Sequence, residues 1–548
     1  MDHAPRHRAA RTLLALLAAL ALLAGACGSS GDESSTDDTT AAGGGDGDVG
    51  PVQAGGRLVF ALPAETNGWN PATGQWADAG NIVGSTFMEP LMTYTADGGT
   101  VPYLAESVEP VDGTDFRVWR IALKPDIRFH DGSPLDAQAV VDSLTFTYKD
   151  PASLTAVATR DNFLEATVVD DLTLEVTWNV GYAAFPTSLA GTAGMIMGPA
   201  MLTEEDYGAD APIGTGPFRF DSWQRDGNLE VVRNDDYWQE GQPALDGIQF
   251  QVIKDPTTRT QALEGGQVDI MLTHTASDID SMADTDFTVL KDYDSEKTFV
   301  LLNGSIPPFD NEHARRALAF ATDREELTSR LGEDIVLSDS PTVAGTIWEV
   351  PDDEAGYVDF DLDKAREEVE LYKAETGAES LSFTLNGLSV LEEQQLMEVL
   401  QSQWAEVGIE TEVQNLDQTA AVGAVALGGF QAAYWRSYSY LDPDTNFVFW
   451  HQSTIADEGL SLNFQRWSTP EISQAMEAAR LTDNTDARQT AYREAVQLRN
   501  AATIDIWLFN TPTALVAAPE VHGLEGFEEA PFANYLPKPW VNDLWLSR

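Results

Sequence analysis

The 548-residue chain has one cysteine, Cys27, and only 32 Lys and Arg to set against 88 Asp and Glu. A single thiol excludes an internal disulfide. The formal net charge of −56 repels phosphate backbones and anionic bilayers alike, which excludes nucleic acid as a partner and leaves covalent attachment as the route to a membrane. Histidine is scarce: beyond residue 26 only His130, His274, His313, His451 and His522 occur, far apart in sequence. There is no Gly-x-Ser-x-Gly elbow, no phosphate loop and no His-Glu-x-x-His, so no catalytic residue, metal ligand or cofactor is assigned. Long apolar runs are missing as well. Residues 13–23, all Leu and Ala, are too few to span a hydrocarbon core of about 30 Å.

Aromatic residues, by contrast, are plentiful: 14 Trp and 23 Phe mark most of the chain as folded. Arg6, Arg8 and Arg11 precede the short apolar run, and small residues follow it, which reads as a signal peptide over residues 1–26. Cys27 is then either an incidental thiol or a lipid-bearing N-terminus. The segment Leu23-Ala24-Gly25-Ala26-Cys27 resembles a lipobox, with Ala24 where Leu is usual. Residues 27–55, rich in Gly, Ser, Thr, Asp and Glu, lack the apolar side chains to offset ordering entropy and read as a flexible tether. The glycines of residues 45–50 match a dinucleotide fingerprint formally, but no strand precedes them and no helix follows.

From residue 57 onward strands and helices alternate without a short repeat, the pattern of a multi-domain α/β protein. Strands are expected at 57–62, 116–123, 172–178, 229–232, 248–253 and 409–413. Helices are expected at 79–92, from Asp136 as N-cap with Ala139, Val140, Leu144 and Phe146 inward, and near 258–263. Further helices are expected at 313–331, 364–375, 391–407, 470–479 and 486–502. Leu396, Leu400 and Trp404 recur at helical spacing, so Trp404 is core, as is Trp119. Asp359, Asp361, Asp363 and Glu370 fall at calcium-loop spacing, but Lys364 stands where such a loop needs Gly. Asp361 or Asp363 reads better as a helix cap.

Several segments in order across the body resemble the family 5 extracellular solute-binding proteins, the receptors of peptide- and nickel-type ABC importers. They are Glu89-Pro90-Leu91 through Pro102-Tyr103-Leu104-Ala105-Glu106-Ser107, and Phe129-His130-Asp131-Gly132-Ser133-Pro134. Gly214-Thr215-Gly216-Pro217-Phe218 with Asn234 to Trp238, residues 261–269, and Pro308-Phe309 through Asp323-Arg324 complete the set. The resemblance implies the two-lobed periplasmic-binding-protein fold of type II, in its large class with an inserted subdomain. Lobe I would comprise residues 56–92, 212–300 and 510–548. The insert would be 93–211, with His130-Asp131 in a turn, and lobe II would be 301–509. It also implies a monomer that captures a peptide, sugar or other small solute in an interlobe cleft and delivers it to ABC permease subunits, without enzymatic activity. A binding lipoprotein that senses without transport and a secreted hydrolase are the alternatives.

In peptide-binding members of this family a Trp-x-x-Asp segment lines the cleft, and its Asp binds the peptide ammonium. Here the segment is Trp435-Arg436-Ser437-Tyr438-Ser439-Tyr440-Leu441-Asp442-Pro443, with Tyr438 in place of that Asp. The resemblance thus implies a cleft lined by Trp435, Arg436, Ser437, Tyr438, Tyr440 and Asp442, with Trp69 and Trp76 opposite. A free peptide N-terminus is not expected to be the main determinant of binding. Arg436 is open to two readings, a bidentate partner for a ligand carboxylate or an internal salt bridge. Cys27→Ala is expected to abolish metabolic lipid labelling and either to release the protein or to leave its signal uncleaved. Retained labelling and membrane association would remove the lipid anchor at Cys27.

Overall fold

Strand Arg57–Leu62 is apolar over five consecutive residues because both of its faces are covered. It runs parallel to Gly247–Val252 on one side and to Ile270–Thr273 on the other. These are central members of a seven-stranded sheet ordered Thr288–Asp292, Thr513–Ala517, Ile270–Thr273, Arg57–Leu62, Gly247–Val252, Asn228–Arg233, Phe218–Trp223. The computed structural model describes residues 51–524 and 540–548, except Gln75, Ala77, Ala96, Glu205, Asp284, Ser295, Glu333, Asp417, residues 439–441 and Asp457. The segments expected to be a signal peptide and a tether, with Cys27, lie outside it up to residue 50.

A second, five-stranded sheet is ordered Ile409–Leu416, Leu381–Leu388, Ala432–Tyr438, Glu296–Leu302, Asp505–Asn510. The chain passes between the two sheets twice, at residues 293–295 and again at 511–512. Strand Glu296–Leu302 lies wholly in the second sheet, so the boundary expected after residue 300 cuts through a strand and moves to about 294. Before the first crossing a four-stranded sheet, Ala105–Pro110, Val118–Leu123, Thr173–Trp178, Phe163–Asp170, carries its own core around Trp119, Phe163, Trp178 and Phe185.

Local expectations hold where cap and periodicity agree. Asp136 caps helix Ala137–Lys149 through the Ala139 amide at 2.9 Å, and Asp361 caps Leu362–Thr376 through the Lys364 amide at 3.0 Å. Trp404 is fully buried, its indole N–H donating to Thr322 Oγ1 at 3.0 Å. Two helices differ from expectation. The one expected over 79–92 is only Asp78–Gly84, because Thr86 and Phe87 offer their carbonyls to Phe218 and Gly216 instead of to a further helical turn. The one expected over 313–331 is two, Glu312–Ala321 and Arg324–Leu331. Asp323 restarts the chain as an N-cap to the Glu326 amide.

Glu89 fastens the four-stranded unit to the seven-stranded body. Its carboxyl is fully buried and accepts from Thr215 Oγ1 at 2.7 Å, Tyr237 OH at 2.7 Å, Tyr103 OH at 3.1 Å and Trp238 Nε1 at 3.1 Å. Burial nevertheless pushes it from its ordinary 4.5 up to about 7. The folded chain therefore holds a proton that the unfolded chain has released. Stability from this group is complete below pH 4.5 and is lost as pH rises through about 7. Denaturation midpoints measured across that window are expected to decline, with a shallower decline in Glu89→Gln; an unchanged slope would remove Glu89 as the cause.

Candidate functional site

Within the five-stranded sheet, Leu381–Leu388 is parallel to both Ile409–Leu416 and Ala432–Tyr438. Parallel strands end together, and ligands of open α/β sheets collect at those carboxyl ends. Here the ends carry Gly387, Leu388, Trp435 and Arg436, and the first turn of helix Leu391–Ala405 adds Glu392 and Glu393. Gly387, Leu388, Glu393, Trp435 and Arg436, together with Ala421 and Val422 from helix Gln418–Leu427, enclose a concavity of about 530 Å³. A Cβ at Gly387 would come within 2.4 Å of Met397 Sδ, so the bare backbone is what lets strand and helix meet at this rim.

Glu393 Oε1 accepts from the Leu388 amide at 2.5 Å, yet burial raises its carboxyl to about 7. Arg436 lies on the strand beside Glu296: its Nη1 is 3.4 Å from Glu296 Oε2. Glu296 is only 2% exposed, and burial raises its pKa in spite of the guanidinium. Across from them the seven-stranded body contributes His274, at the end of strand Ile270–Thr273, and Asp78, the first residue of helix Asp78–Gly84. His274 Nε2 is 2.7 Å from Asp78 Oδ2, and its Nδ1 lies 3.1 Å from Thr513 Oγ1. Against burial, the imidazole first, then the Ala79 amide and last the charge of Arg436 hold Asp78 below the usual carboxylate range. Asp78 and Arg436 stand on different bodies, so this interaction spans the cleft.

The residues singled out in the sequence separate into two groups. Trp435 and Arg436 are at the concavity. Trp435, 8% exposed, also walls a second, aromatic concavity of about 460 Å³ with Phe299, Phe449, Phe464 and Trp507. Ser437 and Tyr438 continue the same strand, described by its backbone, and Tyr440 lies outside the described residues. Three other assignments are corrected. Trp69 and Trp76 do not face the cleft. They are 2% and 4% exposed and pack on each other, with Trp69 also against Phe87 and Trp223, as core of the seven-stranded body. Asp442 is 1% exposed and is taken by Arg488 Nη2 at 2.7 Å, with Thr187 Oγ1 donating at 3.1 Å, so it is a structural partner and no ligand anchor. Sequence reasoning missed Asp78, His274, Glu296, Glu392 and Glu393. The available signal was an acidic and a basic residue, Glu296 and Lys297, opening a strand that is apolar from Phe299 onward.

Contacts also link the five-stranded body to the four-stranded unit at a distance along the chain from these residues. The Ala183 amide donates to the Arg480 carbonyl at 2.8 Å, the Ile347 amide to the Asp97 carbonyl at 3.0 Å, and Trp348 Nε1 to the Gly98 carbonyl at 3.2 Å.

Comparison with known proteins places this architecture. Residues 99–458 match the family model of bacterial extracellular solute-binding proteins, family 5 Middle. The glutathione-binding protein GsiB of Pectobacterium atrosepticum is 26% identical over 449 residues, covering 80% of this chain and 85% of that protein. The nickel-binding periplasmic protein of Escherichia coli K12 is 24% identical, covering 83% and 88%. Among solved structures, the ABC transporter-associated periplasmic binding protein DppA of Helicobacter pylori with the peptide STSA superposes with a TM-score of 0.78 at 19% identity, covering 90% of this chain and 99% of that one. AgaA with agropinic acid, from A. tumefaciens R10, gives 0.77 at 21%, again covering 90% and 99%. These structures share the two-lobed type II fold, and the family match spans most of the folded body. The chain belongs to the family 5 extracellular solute-binding proteins, the receptors of ABC importers.

Proposed function

We propose that this protein is a lipid-anchored, monomeric receptor on the extracytoplasmic face of a bacterial cell membrane. It captures a small solute between two lobes and delivers it to ABC permease subunits. In this reading the seven-stranded body is lobe I, the four-stranded unit is its insert and the five-stranded body is lobe II. Cys27 carries the anchor and residues 28–55 hold the lobes away from the bilayer. Relatives named for glutathione, nickel and peptides support a small polar solute as cargo.

One observation carries the reading. Two crossings of backbone join the bodies, and side chains from both bodies meet in the cleft beside them, with Asp78 and His274 on one side and Arg436 and Glu296 on the other. Rotation about the two crossings would separate these groups and open the concavity. Closure would bury a solute and present a joined surface to a permease.

Closure makes the reading testable. A solute that binds the closed form is expected to reduce the radius of gyration in solution scattering. At a hundredfold excess over its Kd it is expected to raise stability by about 2.7 kcal/mol. Tight binding without compaction would refute hinge closure. Trp435 walls both concavities, so Trp435→Ala is expected to weaken that solute by about tenfold or more, read by calorimetric titration. An unchanged affinity would move the binding site away from these strand ends.

A further inference from the structure

The cleft has a sign. Carboxylates converge on it from both bodies: Asp78 and Asp278 from helices Asp78–Gly84 and Ala276–Ala283, Glu296 from its strand, and Glu392 and Glu393 from helix Leu391–Ala405. Asp278 is close enough to Glu392 to disfavour its charge, and Asp78 does the same to Glu296, with Asp292 adding to the second pair. The cations are fewer. Among the described residues they are Arg436, His274 paired with Asp78, Arg259, whose Nη1 is bound to the Ile253 carbonyl at 2.7 Å, and Lys297, whose Nζ donates to Asn510 Oδ1 at 2.8 Å and whose charge is felt by Asp292. Counted as groups, the six carboxylates, Asp292 included, outnumber the four basic side chains.

A second observation is independent of that count. Glu296 is 2% exposed, and its Oε1 has no hydrogen-bond partner among the described residues, while Oε2 reaches Arg436. A buried acceptor without a donor is costly, and a carboxylate oxygen more so. This one lies beside Arg436, which walls the concavity of about 530 Å³. The surplus acid of the whole chain, −56, acts in the same direction. It draws cations toward the cleft and repels anions.

Arg436 offers the rival assignment, an anchor for a ligand carboxylate. Its Nη1 is 3.4 Å from Glu296 Oε2, and its charge also favours the ionised forms of Glu392, Glu393 and Asp78. A ligand carboxylate would be one more acid competing for the same cation among four already there.

We propose that the cleft selects a solute of net positive charge, an organic amine or guanidine, and seats its cationic group against Glu296 Oε1 with Glu393 alongside. The inference rests on the receptor reading above and names its cargo class. Only a donor-bearing cation both supplies the missing partner of Glu296 and lowers the repulsion between carboxylates on the two sides of the cleft.

The test uses the purified full-length chain in detergent, dialysed against an equimolar mixture of amino-acid amides, agmatine, zwitterionic dipeptides, N-acetyl amino acids and a disaccharide. Retained solutes are measured by mass spectrometry. Amides and agmatine are expected to be retained about tenfold or more above the anionic and uncharged members, and less as salt is raised. Glu296→Gln is expected to reduce that retention about tenfold or more. Glu393→Gln, less deeply buried, should reduce it by about threefold or more and keeps the test valid if Glu296→Gln melts early. Preferential retention of acids, zwitterions or sugar, unaltered by either variant, overturns the cationic cargo and leaves the receptor reading standing. No retention of any class, with no compaction in scattering, overturns both.

Discussion

The strand Glu296–Leu302 is the constraint on which the rest depends. It begins where the chain first enters the five-stranded sheet, lies between Ala432–Tyr438 and Asp505–Asn510, and is buried along its whole length. The second crossing leaves from its neighbour, and polar bonds tie the two together. The Thr511 amide donates to the Glu296 carbonyl at 2.8 Å, Thr298 and Thr511 share a hydroxyl contact at 2.8 Å, and Lys297 Nζ donates to Asn510 Oδ1 at 2.8 Å. Burial lowers the Lys297 ammonium to about 8, and the carboxylates around it, Asp294 first, limit that fall. A junction built of hydrogen bonds fixes register tightly and leaves few apolar contacts to resist bending. That combination suits a joint between two rigid cores.

Scarcity of cations explains where the acid remains. Four arginines, Arg259, Arg315, Arg488 and Arg499, are 8% exposed or less. Arg499 pairs with Asp505 at 2.7 Å and stacks over Trp450, and Arg488 holds Asp442 while lying over Trp348. Arg480 holds Asp444 between the rings of Phe447 and Tyr182. In each case a planar guanidinium satisfies a buried carboxylate and also packs as a flat apolar body. With only 32 basic residues in the chain, this internal use leaves the surface and the cleft short of positive charge.

How much of this was legible in the sequence follows from the range of the forces involved. Caps and periodicity act over a few residues, so Asp136 and Trp404 could be placed from sequence alone and the cap found at Asp361 could be narrowed to Asp361 or Asp363. The helix that stops at Gly84 was not legible, because residues near 216–218, far along the chain, take the carbonyls that would have continued it. Gly84 is itself held against Trp76, whose ring a Cβ would meet at 2.2 Å. Trp69 and Trp76 misled for a related reason. Two aromatics in a polar loop look like a binding surface until Trp223 and Phe87 arrive from other segments to cover Trp69. Part of the site itself was visible at Trp435 and Arg436. Glu296 was not, because its place opposite Tyr438 is a matter of strand register between distant segments.

The charge distribution and the hinge bear on one another. Closing the cleft brings Asp278 toward Glu392 and Asp78 toward Glu296, and like charges at short range oppose that approach. The charge of Arg436, felt by Asp78 on the opposite side, offsets part of the repulsion. At the insert, Thr187 bonding to Asp442 and Ala183 to the Arg480 carbonyl favour the closed state. These contacts draw the bodies together at one rim, while like charges oppose their approach within the cleft. A ligand changes the population of states only through its differential affinity for them. A cation between the opposed carboxylates has that differential affinity, because it contacts both sides only when the cleft is shut. An anion would add to the repulsion. The same acids that set the sign of the cargo therefore make closure depend on its presence.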